Sequence, residues 1–247
     1  MSSPGPRDRA HGGKADPAFS SGLAFLSTAV ALYGMLAAMK ALLIAVAVNS
    51  ALPAGFVDIH DVAPDILVDM RYATDNNFTG TRVDGYDSGR CILTTEAATA
   101  LAKAQRALDA FGLRLKVFDC YRPQRAVDHF VRWSRDAEDT GTKTAYYPRL
   151  SKADLFPQGY IAEQSGHSRG STLDLTIDGL SMGGPFDYFD ETSHTAHRAI
   201  APQARANRLL LKQVLEKHGF RNYPKEWWHF TLKTEPYPDT YFDFPIR

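Results

Sequence analysis

The chain has 247 residues, 44% hydrophobic and 23% charged, enough apolar content for one sizeable core. Its 28 basic and 28 acidic residues cancel to a formal net charge of zero, and there is no long basic run, so the electrostatic footprint of a nucleic-acid binder is missing. No internal repeat or coiled-coil heptad is visible.

Residues 1–22 are rich in Ser, Gly, Pro and charge, the composition of a disordered extension. Residues 23–54 are almost wholly apolar and carry one charge, Lys40. A membrane-spanning helix would place Lys40 near its middle, at a cost of roughly 2.5–3.5 kcal/mol. Reading from Met39 fits better: Lys40 is the n-region, "ALLIAVAV" a short h-region and "NSALPA" a small-residue cleavage zone. The expectation is an exported, periplasmic protein. A cytoplasmic location is the runner-up, and membrane contact follows only if this segment stays as an uncleaved anchor. No Cys follows the h-region, which argues against a lipoprotein anchor. Cys91 and Cys120 are the two cysteines; they could pair in an exported protein, and separately buried thiols are the alternative.

Residues 55–247 read as one domain. "DILVDMRYA" (65–73) alternates as a strand. The spacing predicts a helix over 94–111, with Thr94 as cap, Ala and Leu throughout, and Gly112 at the stop. "LRLKVFDCY" is a strand. "RPQRAVDHFVRWSRDA" starts a second helix with Pro123 in its first turn. "STLDLTI" is a strand, "APQARANRLLLKQVLEKHG" a third helix and "WWHFTL" a last strand. Strands and helices mix without a βαβ rhythm. The expected fold is α+β, a compact single domain with a small, mainly antiparallel sheet and helices packed on it.

Within "SGHSRGSTLDLTI" (165–177), His167 and Asp174 can meet only if the chain folds back between them, which Gly170 permits. On a helix they would be roughly 10 Å apart, and on a straight strand they would face opposite ways. Asp174 alternates with Leu173 and Leu175, so a solvent-facing aspartate is the plain alternative; a buried one needs a partner or a metal. His229 would complete a set of three ligands with the fourth position open, the pattern of catalytic zinc. Glu226, three residues earlier in "PKEWWHF", would then face the same pocket as general base, with Trp227 and Trp228 as walls. Arg122, where a strand becomes a helix, could pair with Asp119 or stabilise an oxyanion. Cys120 alternates onto the same side and could line the cleft. His194 and His197 read as surface or supporting residues, and His60, His129 and His218 stand singly. No HExxH is present.

Taken together, "RYATDNNFTG", "VDGY", "YRPQRA", "SGHSRGSTLDLTI", "MGGPFDYFDETSH", "NRLLL", "GFRNYPKEWWHF" and "EPYPDTYFDFPIR" resemble the VanX-type D-alanyl-D-alanine dipeptidases, zinc enzymes of the D,D-peptidase group. The likeness runs from about Val57 to Arg247. It implies a compact α+β domain and one Zn2+ per chain held by His167, Asp174 and His229. It further implies Glu226 as catalytic base, Arg122 as stabiliser of the oxyanion, and Tyr72, Tyr86, Ser165 and Asp187 as substrate-binding residues, the last two suited to a free amino terminus. Two departures stand out. Residues 74–77 read "TDNN" where relatives usually carry Asp directly before the final Asn, and Cys120 replaces a small residue. The implied partner is a small dipeptide, with the oligomeric state left open. The alternatives are a D,D-carboxypeptidase or endopeptidase acting on longer wall peptides, and a zinc-stabilised binding module without activity.

Overall fold

A computed structural model describes residues 52–247. The expected extension at 1–22, and all but the end of the apolar segment at 23–54, lie outside the described residues. Among the described residues no helix is long and apolar enough to cross a membrane.

The first strand, β1 (Phe56–Asp58), pairs antiparallel with β3 (Ile92–Thr94) as a small two-stranded sheet. The main sheet has five strands: β2 (Leu67–Val68), β4 (Leu115–Asp119), β5 (Thr172–Ile177), β6 (Phe220–Asn222) and β7 (His229–Leu232), in the order β2-β4-β5-β7-β6. Only the β2–β4 pair is parallel. The domain is α+β with a mainly antiparallel sheet.

Three long helices cover it. In α1 (Thr95–Asp109) the Thr94 hydroxyl accepts from the Ala97 amide, capping a first turn that holds Glu96. In α2 (Gln124–Arg135) Pro123 sits at the cap rather than inside the first turn, because its extended backbone turns the chain off β4. The third, α3 (Pro202–Lys217), starts with proline in its first turn, where the missing N–H has no partner to lose.

One predicted strand is largely not a strand. Of residues 65–73 only Leu67–Val68 pair, and Arg71–Ala73 wind into a 3-10 turn. That turn swings Tyr72 inward until it is fully buried. The expected strand over "WWHFTL" begins only at His229, because Trp227 and Trp228 lie in the turn that precedes it.

Candidate metal and substrate site

Strand register builds the floor of the site. Asp119 on β4 lies opposite Asp174 on β5, and Asp174 lies opposite His229 on β7, so the three side chains stand on one face of the sheet. A register irregularity between Val117 and Asp119 turns the end of β4 toward that face. His167 arrives from the 3-10 turn Gly166–Arg169, whose cap is the Ser165 hydroxyl accepting from the His167 amide at 3.2 Å. Gly170 ends the turn at φ 81°, and a side chain there would collide with the Phe56 ring. This fold-back lets His167 and Asp174 meet.

His167 Nδ1 lies 2.8 Å from the Cys120 carbonyl. A carbonyl only accepts, so Nδ1 carries the proton and Nε2 turns its lone pair to the site. His167 Nε2 is 3.3 Å from Asp174 Oδ1, and His229 Nδ1 is 3.1 Å from the same oxygen. The two imidazole nitrogens are 3.4 Å apart. One donor atom from each of His167, Asp174 and His229 lies within 4.8 Å of the others. Asp174 Oδ1 is buried and accepts no hydrogen bond. Three lone-pair donors aimed at one another, with an orphaned carboxylate oxygen among them, form a cradle for a cation.

The electrostatics agree. Burial alone would lower the His229 pKa, but the carboxylates of Asp174 and Glu226 outweigh it and push it up to about 10. Burial alone would raise Asp174, but the imidazoles of His167 and His229 hold it well below the usual carboxylate range. With no cation bound, that raised pKa means His229 holds a proton, which a metal ion would have to displace to use its lone pair.

Glu226 stands on the rim with Oε2 3.3 Å from His229 Nδ1, placed by the turn after Pro224 in which the Glu226 amide donates to the Tyr223 carbonyl. Arg122 reaches in from the loop after β4. Its Nε and Nη2 donate to Asp119 Oδ2 at 2.9 and 2.7 Å, and Nη2 is 3.7 Å from Asp174 Oδ2. Its guanidinium lies over the rings of Tyr72 and Phe130. Of the two expected roles of Arg122, the pairing with Asp119 is present, and the residue also lines the cleft.

Asp187 occupies the far wall, buried, with Oδ2 accepting from the Tyr72 hydroxyl at 2.8 Å. Burial, and then the charge of Asp174, push its pKa well above the usual carboxylate value. Its backbone sits at φ 58°, the only non-glycine residue in the left-handed region among the described residues. Such a conformation costs of order 1 kcal/mol or more and persists where the surroundings impose it. Ser165 lines the cleft beside His167. The cleft is small, about 330 Å³, and Trp228, Phe189 and Tyr160 supply apolar wall. A larger hollow of about 890 Å³ along α3 and β6 reaches His229 but none of Glu226, Asp174, His167 or Arg122.

The structure departs from the sequence reading at three side chains, Tyr86, Trp227 and Cys120. Tyr86 is fully buried beneath the site, donating to Asp119 Oδ1 at 2.6 Å, and is not on the cleft wall. Trp227 stands behind Trp228, ring against ring at 5.2 Å, so only one tryptophan walls the cleft. Cys120 does not line the cleft: it is bonded to Cys91, with Cα atoms 5.3 Å apart. The plain alternative for Asp174, a solvent-facing aspartate, is removed, because both faces of β5 are covered. His60, His129, His194, His197 and His218 stay outside the donor cluster. Sequence reasoning treated Asp119 only as a partner for Arg122. In the fold it links Arg122, Tyr86 and, at 3.3 Å, His167 Nδ1. The available signal was a charge closing the apolar strand "LRLKVFDCY", the same signal that marked Asp174.

Comparison with known proteins bears on this geometry. The Peptidase_M15 family model, D-Ala-D-Ala dipeptidase, matches residues 53–247. A D-alanyl-D-alanine dipeptidase of Streptomyces coelicolor is 46% identical over 197 residues, covering 77% of this chain and 98% of the relative. Another, from Enterococcus faecalis, is 46% identical over 198 residues and covers 78% and 98%. A third, from Escherichia coli, is 35% identical over 184 residues and covers 71% and 83%.

Proposed function

The chain belongs to the D-Ala-D-Ala dipeptidase family of metallopeptidases, and on that premise we propose that it hydrolyses the dipeptide D-Ala-D-Ala to free D-alanine with one zinc ion held by His167, Asp174 and His229. The observation that carries the reading is the orphaned Asp174 Oδ1 between two imidazole nitrogens, with the Glu226 carboxylate on the same rim. Two imidazoles and a carboxylate with an open fourth position suit zinc. Bound there, zinc would polarise the scissile carbonyl and lower the pKa of water.

The chain's own groups do the rest. Glu226 Oε2 takes a proton from the attacking water and returns it to the leaving amine. Arg122, held rigid by Asp119, donates from its free edge to the oxygen that gains charge, and needs no reorganisation at that moment. Asp187 and Ser165 receive the substrate's ammonium, which adds positive charge where burial and Asp174 outweigh the effect of Arg122 on Asp187. The Tyr72 hydroxyl fixes the Asp187 carboxylate. Trp228 and Phe189 exclude water beside the methyl groups.

Size and charge support a dipeptide over a longer wall peptide. A neutral acyl group at the amine position would leave Asp187 unpaired, costing roughly 1–3 kcal/mol or more. The test measures kcat/KM for D-Ala-D-Ala and N-acetyl-D-Ala-D-Ala side by side, with and without chelator. Strong preference for the free dipeptide, abolished by chelator, is expected. Equal values would move the chain to the carboxypeptidase reading, and stoichiometric zinc without hydrolysis of either would make it a binding module.

Export is part of the proposal. The Cys91–Cys120 disulfide supports it, since such bonds persist in oxidising compartments. Cell fractionation with N-terminal sequencing tests it. A mature start beyond the apolar segment in the periplasmic fraction is expected, and intact cytoplasmic protein beginning at Met1 would contradict it.

A further inference from the structure

Arg208 is a charged side chain that the chemistry above does not use. It is 1% exposed, in the middle of α3. No coulombic partner acts on it, and burial lowers its pKa to about 10, so it stays a cation at neutral pH. An unpaired buried cation is expensive and calls for a reason. Its hydrogen bonds supply one. Nε donates to the Met182 carbonyl at 2.6 Å, and Nη1 donates to the carbonyls of Thr192 and His194, both at 2.9 Å. These acceptors are the two ends of one segment, 182–194, which carries Asp187 in its middle. The preceding residue of α3, Asn207, adds a bond from Nδ2 to the Ser181 carbonyl at 2.8 Å. Apart from the 3-10 turn Glu191–Ser193 the segment has no regular structure of its own. Asp187 sits in it at φ 58° with its carboxylate on Tyr72. A strained residue on an irregular loop keeps its aim only if the ends of that loop are fixed. A planar guanidinium can serve three carbonyls from one side chain, which an ammonium on a flexible stem cannot do with the same geometry.

We propose that Arg208 is the positioning residue for Asp187, and through it a determinant of specificity for substrates with a free amino terminus. The inference rests on the reading of Asp187 as the ammonium acceptor. Steady-state kinetics with D-Ala-D-Ala on the full chain, for Arg208→Lys, Asp187→Asn and the double variant, test it alongside zinc content and circular dichroism. Arg208→Lys should raise KM roughly tenfold with kcat held within about threefold and zinc unchanged. In the Asp187→Asn background the same substitution should add no further rise, because the two residues act as one unit. A loss confined to kcat, or KM effects that multiply in the double variant, would overturn the inference. The two readings fail separately. If Asp187→Asn alone leaves KM and the preference over the N-acetylated dipeptide unchanged, the ammonium reading falls. If Asp187→Asn has its effect and Arg208→Lys has none, only the role of Arg208 falls. Should Arg208→Lys not fold, Asn207→Ala cuts the neighbouring tie and keeps the charge. It should raise KM by about threefold through the same route, and an unchanged KM there overturns the proposal.

Discussion

Along β5, Leu173, Leu175 and Ile177 alternate with Thr172, Asp174 and Thr176, and both faces of the strand are buried. On the first face the cross-strand neighbours are Phe230, Val117 and Leu115, all apolar and fully buried. On the second, Asp174 lies between Asp119 and His229, Thr172 bonds Thr231 across the strands at 2.9 Å, and Thr176 faces Lys116. One strand thus serves two purposes by alternation alone. The apolar face gains free energy on folding. The polar side gathers Asp174, Asp187 and Glu226 on one cleft with Asp119 buried beneath it, and burial raises Asp119 and Asp187 above their usual range. Arg122 offsets part of this cost, and a bound cation would offset more. The cost of burying charge is therefore concentrated at the candidate site, and the two faces should break in different ways.

The largest effect belongs to the polar face. His229→Ala should lose stoichiometric metal, read by metal analysis, and all measurable turnover. Retained zinc and activity would remove His229 from the donor set. Glu226→Gln should keep the metal and lose on the order of 10²–10⁴ in rate, since only proton transfer is removed. Near-normal turnover in that variant would break the assignment of the base. Arg122→Ala should lower kcat by roughly 10²–10³. A change confined to KM would make Arg122 a binder of the ground state instead.

On the apolar face the signature inverts. Leu175→Ala removes buried methyl groups between Val117 and the core, and should cost about 2–5 kcal/mol of stability by denaturant titration. Turnover per folded molecule should stay near normal. If activity fell with stability, the two faces would be coupled and the comparison too sharply drawn.

How much of this was legible in the sequence follows from the same alternation. "TLDLTI" separates the faces of β5 at sight, and the three long helices declare themselves through caps, Pro and Gly. That the polar face is also covered is not legible there, because its cover comes from far along the chain: Tyr72 and Asp187 bond across 115 positions. The same limit explains Tyr86 and Trp227. The resemblance places Tyr86 in the cleft and the neighbours of Trp227 place it there, and long-range packing turns both away. Arg208 was hidden for a different reason. Its neighbourhood, "NRLLL", lies within the third predicted helix and among the stretches that carry the resemblance, and only the fold shows the three carbonyls it meets.

The smallest effect sits where the faces join. Cys91 precedes β3 and Cys120 follows β4, and their bond closes a separation of 29 residues that includes α1. Cross-linking such a span typically contributes about 2–4 kcal/mol, chiefly by restricting the unfolded chain. The native contacts at this junction do not depend on the sulfurs alone, since the Tyr121 amide donates to the Ile92 carbonyl at 2.8 Å and keeps the two segments joined. The polar face is tied here through the Cys120 backbone: its carbonyl sets the proton on His167 Nδ1, its amide donates to Asp119 Oδ1 at 2.9 Å, and any residue but proline at 120 keeps both. Cys91→Ser, or reduction of the wild type, should therefore lower the denaturant midpoint and cost the lower end of that range in unfolding free energy, about 2 kcal/mol, with zinc stoichiometry and kcat unchanged. Midpoints and metal content measured with and without reductant check this. An unchanged midpoint would mean the bond does not form in solution. A parallel loss of zinc would mean that the cross-link, and not the carbonyl alone, holds His167 in its tautomer and place.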